Sequence, residues 1–330
     1  MYKMTQKILI LCAWILLGMS VGAQTLKIAS LAPEATPWGQ GLNQIASEWA
    51  KATNGRVRLK IFHGGVAGNE VDVVRKMRLG QIHGTTSSPI GLNTMIPPMW
   101  GLVIPGIIQT GEELDFILEE FEDELNTLFR NAGYEILTWS NSGWLKFFTT
   151  DQIRSPDNLR GMKISTANFD DGFNTILRNL GMQTVSLDAT EILAGLNSGL
   201  LNAIVYAPLA VAGFQWFSVA DNMLDLQIAP FFGAVVMDSR SWNRIPEQYH
   251  EELKAIAQRI GKEMEDQLNT LEQEGIELMQ TYGLSVNEPR GSDLTDWYDL
   301  FAEARKDLDD RYFSDPTMAK ILAGLEEFRR

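Results

Sequence analysis

The sequence predicts an α/β fold in two lobes, and three observations predict it. After a leader, the chain opens on a strand, a helix and a second strand. Leu26–Leu31 alternates apolar with small or polar residues, Leu42, Ile45, Ala46 and Trp49 recur at helical spacing, and Val57, Leu59 and Ile61 alternate again. Parallel strands joined by a helix begin a doubly wound sheet. A second succession of this kind runs through Thr184–Leu187, then Ile192, Leu193, Leu196 and Leu200, then Ala203–Tyr206. Finally, from Pro246 to Tyr282 only Gly261 and Gly275 interrupt a helical pattern carried by Leu253, Ile256, Ile260, Met264, Leu268 and Leu271. Such a helix is about 55 Å long. That exceeds one small lobe, so it is expected to bridge two. The stripe lacks the sustained heptads of a coiled coil.

Composition fits this fold. A chain of 330 residues suits one large or two mid-sized domains, and 45% apolar residues are ample for a core. A net charge of −14, with no Lys/Arg cluster, argues against nucleic-acid binding.

Residues 1–23 read as a secretory signal. Lys3 and Lys7 precede the apolar run Ile8–Met19, and Val21-Gly22-Ala23 suits cleavage after Ala23. The run is short of the ~20 residues of a spanning helix. Leu11 before Cys12 is too bulky for a lipoprotein site. Cleavage removes the one cysteine, so disulfides play no part in the fold. It also removes two lysines and no acid, leaving the protein still more acidic.

The remaining elements follow in order. A Pro-rich turn, Ala32–Pro37, leads to Trp38 and the first helix, and Asn54-Gly55 turns into the second strand. The glycine-rich loop Phe62–Glu70 lacks the Lys-Ser/Thr of a P-loop and the spacing of a dinucleotide fingerprint, and reads as a tight surface turn. It precedes a helix with Val71, Val74, Met77 and Leu79. Met99–Pro105 reads as an apolar strand and Glu112–Phe129 as one acidic amphipathic helix. Tyr134–Trp139 is a strand, Asn141-Ser142-Gly143 a turn, and Trp144–Phe148 an aromatic strand crossing to the second lobe. Ser155-Pro156-Asp157 starts a short helical turn that Gly161 ends. Met162-Lys163-Ile164 then forms a strand whose end, Ser165-Thr166, is expected to face a ligand crevice. Gly172–Leu180 is a helix, and Asp188–Glu191 starts another. Phe231-Phe232 and Val235–Met237 form a return strand to the first lobe. Asp293–Arg329 is a last helical segment.

Catalytic chemistry has no footing here. Gly18-Met19-Ser20-Val21-Gly22 matches a nucleophile elbow but lies in the leader, without the strand and helix the elbow needs. His63, His83 and His250 are the only histidines, and no Ser-His-Asp, Cys-His or metal-ligand spacing is visible. The sequence therefore predicts no enzyme, no metal and no cofactor.

Several motifs carry a family resemblance over essentially the whole mature chain. Arg154-Ser155-Pro156, Leu159, Gly161 and Lys163-Ile164 form R-S-P-x-x-L-x-G-x-K-I, which resembles the signature of substrate-binding proteins of TRAP (tripartite ATP-independent periplasmic) transporters. The F-x-x-G-x-x-G turn from Phe62, the block holding Glu191, Leu196 and Gly199, and the W-x-x-x-P segment Trp242–Pro246 are similar to the family's. Asn202-Ala203 replace its usual Asp-Gly. The resemblance implies a periplasmic receptor of two lobes joined by hinge strands. Small and large TRAP membrane subunits would be its partners. The expected division is 24–142 with 231–270 as lobe I, and 143–230 with 271–330 as lobe II. A ligand-binding sensor or scaffold without a transport role is the alternative.

Departures from the family concern the ligand. Two positions that often hold arginine carry Leu145 and Ser165 here. Neither can replace the planar fork that suits a carboxylate. The resemblance then places Trp38, Trp144, Leu145, Phe169, Tyr206 and Trp216 around the ligand, with Ser87, Ser88, Ser165, Thr166 and Asn168 as polar points. An apolar pocket with few polar groups favours a neutral or largely apolar ligand over a dicarboxylate.

Overall fold

Side-chain caps start the first three α-helices. In the computed structural model, Thr36 accepts from Gly39 N with Pro37 at the first helical position, Asn69 accepts from Asp72 N, and Ser88 accepts from Ile90 N ahead of Pro89. The structure describes residues 23–330 except 167–170, 188–190, 290–291, 307 and 309–311. Residues 1–22 of the leader, Asn168, Phe169 and residues 188–190 of the expected helix start therefore lie outside the described residues.

The elements run β1 (Gln24–Ala29), α1 (Pro37–Ala52), β2 (Val57–Phe62), α2 (Glu70–Arg78), β3 (Gly84–Ser87) and α3 (Pro89–Met95). Then come α4 (Gly111–Glu120), α5 (Glu122–Asn131), β4 (Tyr134–Thr149), β5 (Lys163–Ser165), α6 (Asp171–Asn179), β6 (Gln183–Val185), α7 (Ile192–Asn197), β7 (Ala203–Tyr206) and α8 (Pro208–Gly213). The chain closes with β8 (Asn222–Asp238), α9 (Ser239–Trp242), α10 (His250–Thr281), β9 (Ser285–Asn287), α11 (Ser292–Ala304) and α12 (Pro316–Phe328).

The described strands form one sheet in the order β2-β1-β3-β8-β4-β7-β5-β6, with β9 on β8. β1 pairs parallel with β2 and β3, and β5 pairs parallel with β6 and β7. Between these two parallel halves lie the antiparallel strands β4 and β8, of 16 and 17 residues, which run through both. They are the hinge strands. The expected turn at Asn141-Ser142-Gly143 is instead a bulge within β4, where the register on β8 shifts between Asn141 and Trp144.

Strand alternation sorts the core onto two faces. On one face a single apolar cluster spans both halves, from Val74, Leu92 and Trp100 through Trp144, Phe147 and Val205 to Phe173 and Trp297. On the other face each half has its own cluster. One joins Leu26, Leu42, Trp49, Val235 and Met237, and the other joins Phe148, Ile192, Ile204 and Trp216. α10 lies along this second face. Its Leu253, Ala257, Ile260 and Met264 enter the first cluster and its Met279 the second. The helix therefore bridges both halves as expected, over 32 residues or about 48 Å.

Four sequence expectations change. Residues 97–103 form a 3-10 helix and not a strand, because Pro97 and Pro98 cannot supply ladder donors. The acidic helix breaks at Phe121 into α4 and α5. The last helical segment is two helices, with Asp315 capping and Pro316 starting α12. α12 also leaves the half to which residues 271–330 were assigned. It packs on α4 and α5, with Lys320 paired to Glu124 and Arg329 bidentate on Glu113 at 2.7 Å.

Candidate functional site

The two parallel half-sheets aim their carboxyl ends at each other. Ser87 ends β3 and shares a level with Ala234 and Trp139. Tyr206 ends β7 and pairs with Lys146. Along β4 those levels are seven residues apart, roughly 20 Å at about 3.3 Å per residue. The bulge lies between them. A crevice outside the carboxyl ends of parallel strands is where α/β sheets bind ligands.

On the first-half side of this crevice sits a buried carboxylate that sequence reasoning missed. Glu70 accepts from Ser88 N at 2.7 Å, from Gly91 N at 3.1 Å, and from the Ser88 hydroxyl. It is buried, and burial pushes its carboxyl above the ordinary 4.5, against the lowering effect of those hydrogen bonds. The position gave no sequence signal. An acid in the first turn of a helix ordinarily reads as a solvated dipole partner. Beside it, the Ser87 hydroxyl is buried and makes no hydrogen bond among the described residues. The indole N–H of Trp100 is orphaned in the same way. Gly91 is needed here, because a Cβ at that position would collide with the Ser87 hydroxyl.

Trp144 and Leu145 lie in the apolar cluster that spans both halves. Across the crevice the rings of Trp100 and Phe173 meet at 6.1 Å. Lys146 turns to the α10 face, where it pairs with Asp225 of β8. It is the one lysine or arginine that is buried among the described residues.

Ser165 and Thr166 end β5 as expected, and both are buried. The Ser165 hydroxyl donates to Leu187 O at 3.2 Å. The Thr166 amide donates to Val185 O. Three expected ligand contacts pack on the clusters of the α10 face. Trp216 is only 1% exposed, stacked on Phe214 and edge-on to Tyr206, in the cluster of the α10 face. Tyr206 packs on that same cluster because alternate residues of β7 point to opposite faces. Trp38 packs half-buried on the first-half cluster of the α10 face. His83 accepts from Lys27 N at 2.8 Å through Nδ1, and burial lowers its pKa.

Comparisons with known proteins bear on this site. The model of the bacterial extracellular solute-binding protein family 7 matches residues 28–310. A solute-binding protein of Chromohalobacter salexigens is 22% identical over 267 residues, covering 78% of this chain and 76% of the relative. A TRAP periplasmic solute-binding protein of Xanthobacter autotrophicus Py2, solved with β-D-galacturonate, superposes with a TM-score of 0.81. It is 21% identical, with 92% of this chain and 99% of that one covered. One from Pseudomonas putida F1 with D-glucuronate gives 0.81, 20%, 92% and 97% in the same order. One from Desulfovibrio salexigens with orotic acid gives 0.82, 17%, 92% and 97%. These neighbours hold acids, so they lend no support to an apolar cleft or a neutral ligand. The chain belongs to the bacterial extracellular solute-binding protein family 7, and its fold is that of the TRAP periplasmic solute-binding proteins.

Proposed function

We propose that this protein is an extracytoplasmic solute receptor. It captures a small, neutral or largely apolar ligand between its lobes and delivers it to the small and large TRAP membrane subunits. We place lobe I at 24–142 with 231–270 and α12, and lobe II at 143–230 with the rest of the chain after 270. The leader is cut after Ala23 and the receptor works in the periplasm. The ligand contacts both lobes only when they close, so it shifts the open–closed equilibrium by that differential affinity.

One observation carries the ligand class. The two positions that would hold a carboxylate-binding arginine are Leu145, packed among apolar side chains, and Ser165, whose hydroxyl is spent on Leu187 O. The buried cation nearest them in sequence, Lys146, faces α10 and is paired with Asp225. An acid enclosed here would lose its hydration without a counter-charge. The Ser87 hydroxyl and the Trp100 indole N–H suit one or two polar atoms on an otherwise apolar molecule. Bound acids in the structural neighbours favour the opposite class, so the ligand has to be identified directly. Native mass spectrometry of protein purified from the periplasm is the test. A co-purified neutral molecule that leaves on unfolding is expected. A co-purified uronate would overturn the ligand class and leave the receptor role standing.

A further inference from the structure

Trp100 sits where the two lobes meet on the crevice face. It belongs to the 3-10 helix of residues 97–103, which packs on α3 and on the hinge strand β8. Its ring meets Phe173, on α6 of lobe II, at 6.1 Å and an interplanar angle of 46°. Trp144 and Leu145 of β4 lie in the same apolar cluster, so this seam continues into the hinge. Trp100 itself is buried, and its indole N–H has no acceptor among the described residues. The Ser87 hydroxyl, likewise buried and unbonded, ends β3 just ahead of α3.

Other buried indoles in this chain find an acceptor. That of Trp49 donates to Leu253 O at 2.9 Å, and that of Trp139 to Asn126 Oδ1 at 3.1 Å. Trp297 of α11 shares the orphaned state, and its helix packs on α6, which carries Phe173. A buried N–H that has left water and gained no acceptor is costly, and phenylalanine would fill an apolar seam without that cost. An indole nitrogen only donates, so a molecule that completes it has to bring an acceptor. A carbonyl oxygen suits this best, because it carries no proton of its own. A hydroxyl would need a further acceptor, which Phe173, Trp144 and Leu145 do not offer. A carboxylate accepts as well, but one neutral donor does not replace its counter-charge.

We propose that Trp100 determines specificity by donating its indole N–H to a carbonyl oxygen of the ligand, with Phe173 of lobe II packed on the ligand's apolar part. This rests on the reading of a neutral, largely apolar ligand and narrows it to carbonyl compounds: ketones, esters or lactones. Trp100 and Phe173 belong to different lobes, so a molecule between them touches both, which is the condition for closure driven by the ligand. A site built around a buried donor also rejects the analogue without an acceptor, because binding it would leave the N–H unpaired in a dry crevice. The Ser87 hydroxyl, which can donate or accept, serves a second polar atom.

The test uses two matched probes, acetophenone and ethylbenzene, which share a ring and a two-carbon arm and differ by the carbonyl oxygen. The tryptophans of the mature protein are isotope-labelled on the indole nitrogen, and the Trp100 signal is identified by its loss in Trp100→Phe. At saturation acetophenone should move the Trp100 N–H proton downfield, while the signals of Trp49 and Trp139, already bonded, stay in place. Ethylbenzene should bring no such downfield shift. In Trp100→Phe, checked as folded by circular dichroism, the affinity for acetophenone relative to ethylbenzene should fall about tenfold, or about 1.4 kcal/mol. Acetophenone bound with the Trp100 signal unmoved overturns the donor role and leaves a neutral ligand standing. So does an unchanged affinity ratio in Trp100→Phe. A parent protein that binds neither probe overturns the carbonyl class. A uronate that binds instead contradicts the neutral-ligand reading itself.

Discussion

Removing the Glu70 carboxylate should destabilise the protein through the hydrogen bonds it leaves behind. Glu70→Ala strands two backbone donors, Ser88 N and Gly91 N, in a site that is 7% exposed. The Ser88 hydroxyl loses its acceptor but still takes a bond from Ile90 N as the cap of α3. Each orphaned buried amide costs about 1–3 kcal/mol, so two cost about 2–6 kcal/mol. Relief from burying the acid offsets part of this, which puts the expected loss at about 2–4 kcal/mol. Glu70→Gln keeps one acceptor oxygen but sets an amide N–H₂ among N–H donors, and should cost about 1–2 kcal/mol. Urea unfolding at pH 7 reads both. A raised carboxyl pKa stabilises the fold below 4.5 and loses that effect as pH rises. Parent stability should therefore fall towards that of Glu70→Gln as pH increases. A Glu70→Ala protein within ~0.5 kcal/mol of the parent would refute the bonding described here.

Two other substitutions test where the side chains point. Ser165→Arg should lower stability by several kcal/mol, because the site is 1% exposed and a long cation cannot stay in water there. Gln183→Arg, on the exposed neighbouring strand β6, should cost under about 0.5 kcal/mol, and equal urea midpoints in the two would place Ser165 at the surface. Trp216→Ala should cost about 3–5 kcal/mol as a core truncation while leaving the affinity of the co-purified ligand within twofold. A large loss of affinity in folded Trp216→Ala protein would return this residue to the binding site.

Much of the fold was legible in the sequence because it rests on local signals. Ser155-Pro156 announces a helical turn, and the apolar stripe of α10 announces its length. The helix–sheet order is written in the switch from alternating to helical periodicity. What failed depends on distant partners. Asn141-Ser142-Gly143 has the composition of a turn, and only pairing with β8 keeps it within one strand. The return of α12 to α4 and α5 rests on Lys320 meeting Glu124, 196 residues away. In the site, the end of β5 was legible from topology, and the end of β3 only from the family resemblance. The face on which each aromatic lands was not. Alternation puts Ile204 and Tyr206 opposite Ala203 and Val205, but it does not say which side carries α10. Glu70 was hidden for a similar reason: an acid in a first helical turn reads the same whether water or Ser88 faces it.

The ligand class is tested most directly by calorimetry on the ligand-free receptor. The panel is D-galacturonate, D-glucuronate, orotate and succinate, each titrated into protein stripped of co-purified ligand by unfolding and refolding. With Leu145 and Ser165 in the positions of the arginines, and Lys146 held by Asp225, no acid should bind below millimolar concentration. The co-purified molecule, titrated back, should bind. Micromolar binding of any one of the four acids would contradict the account.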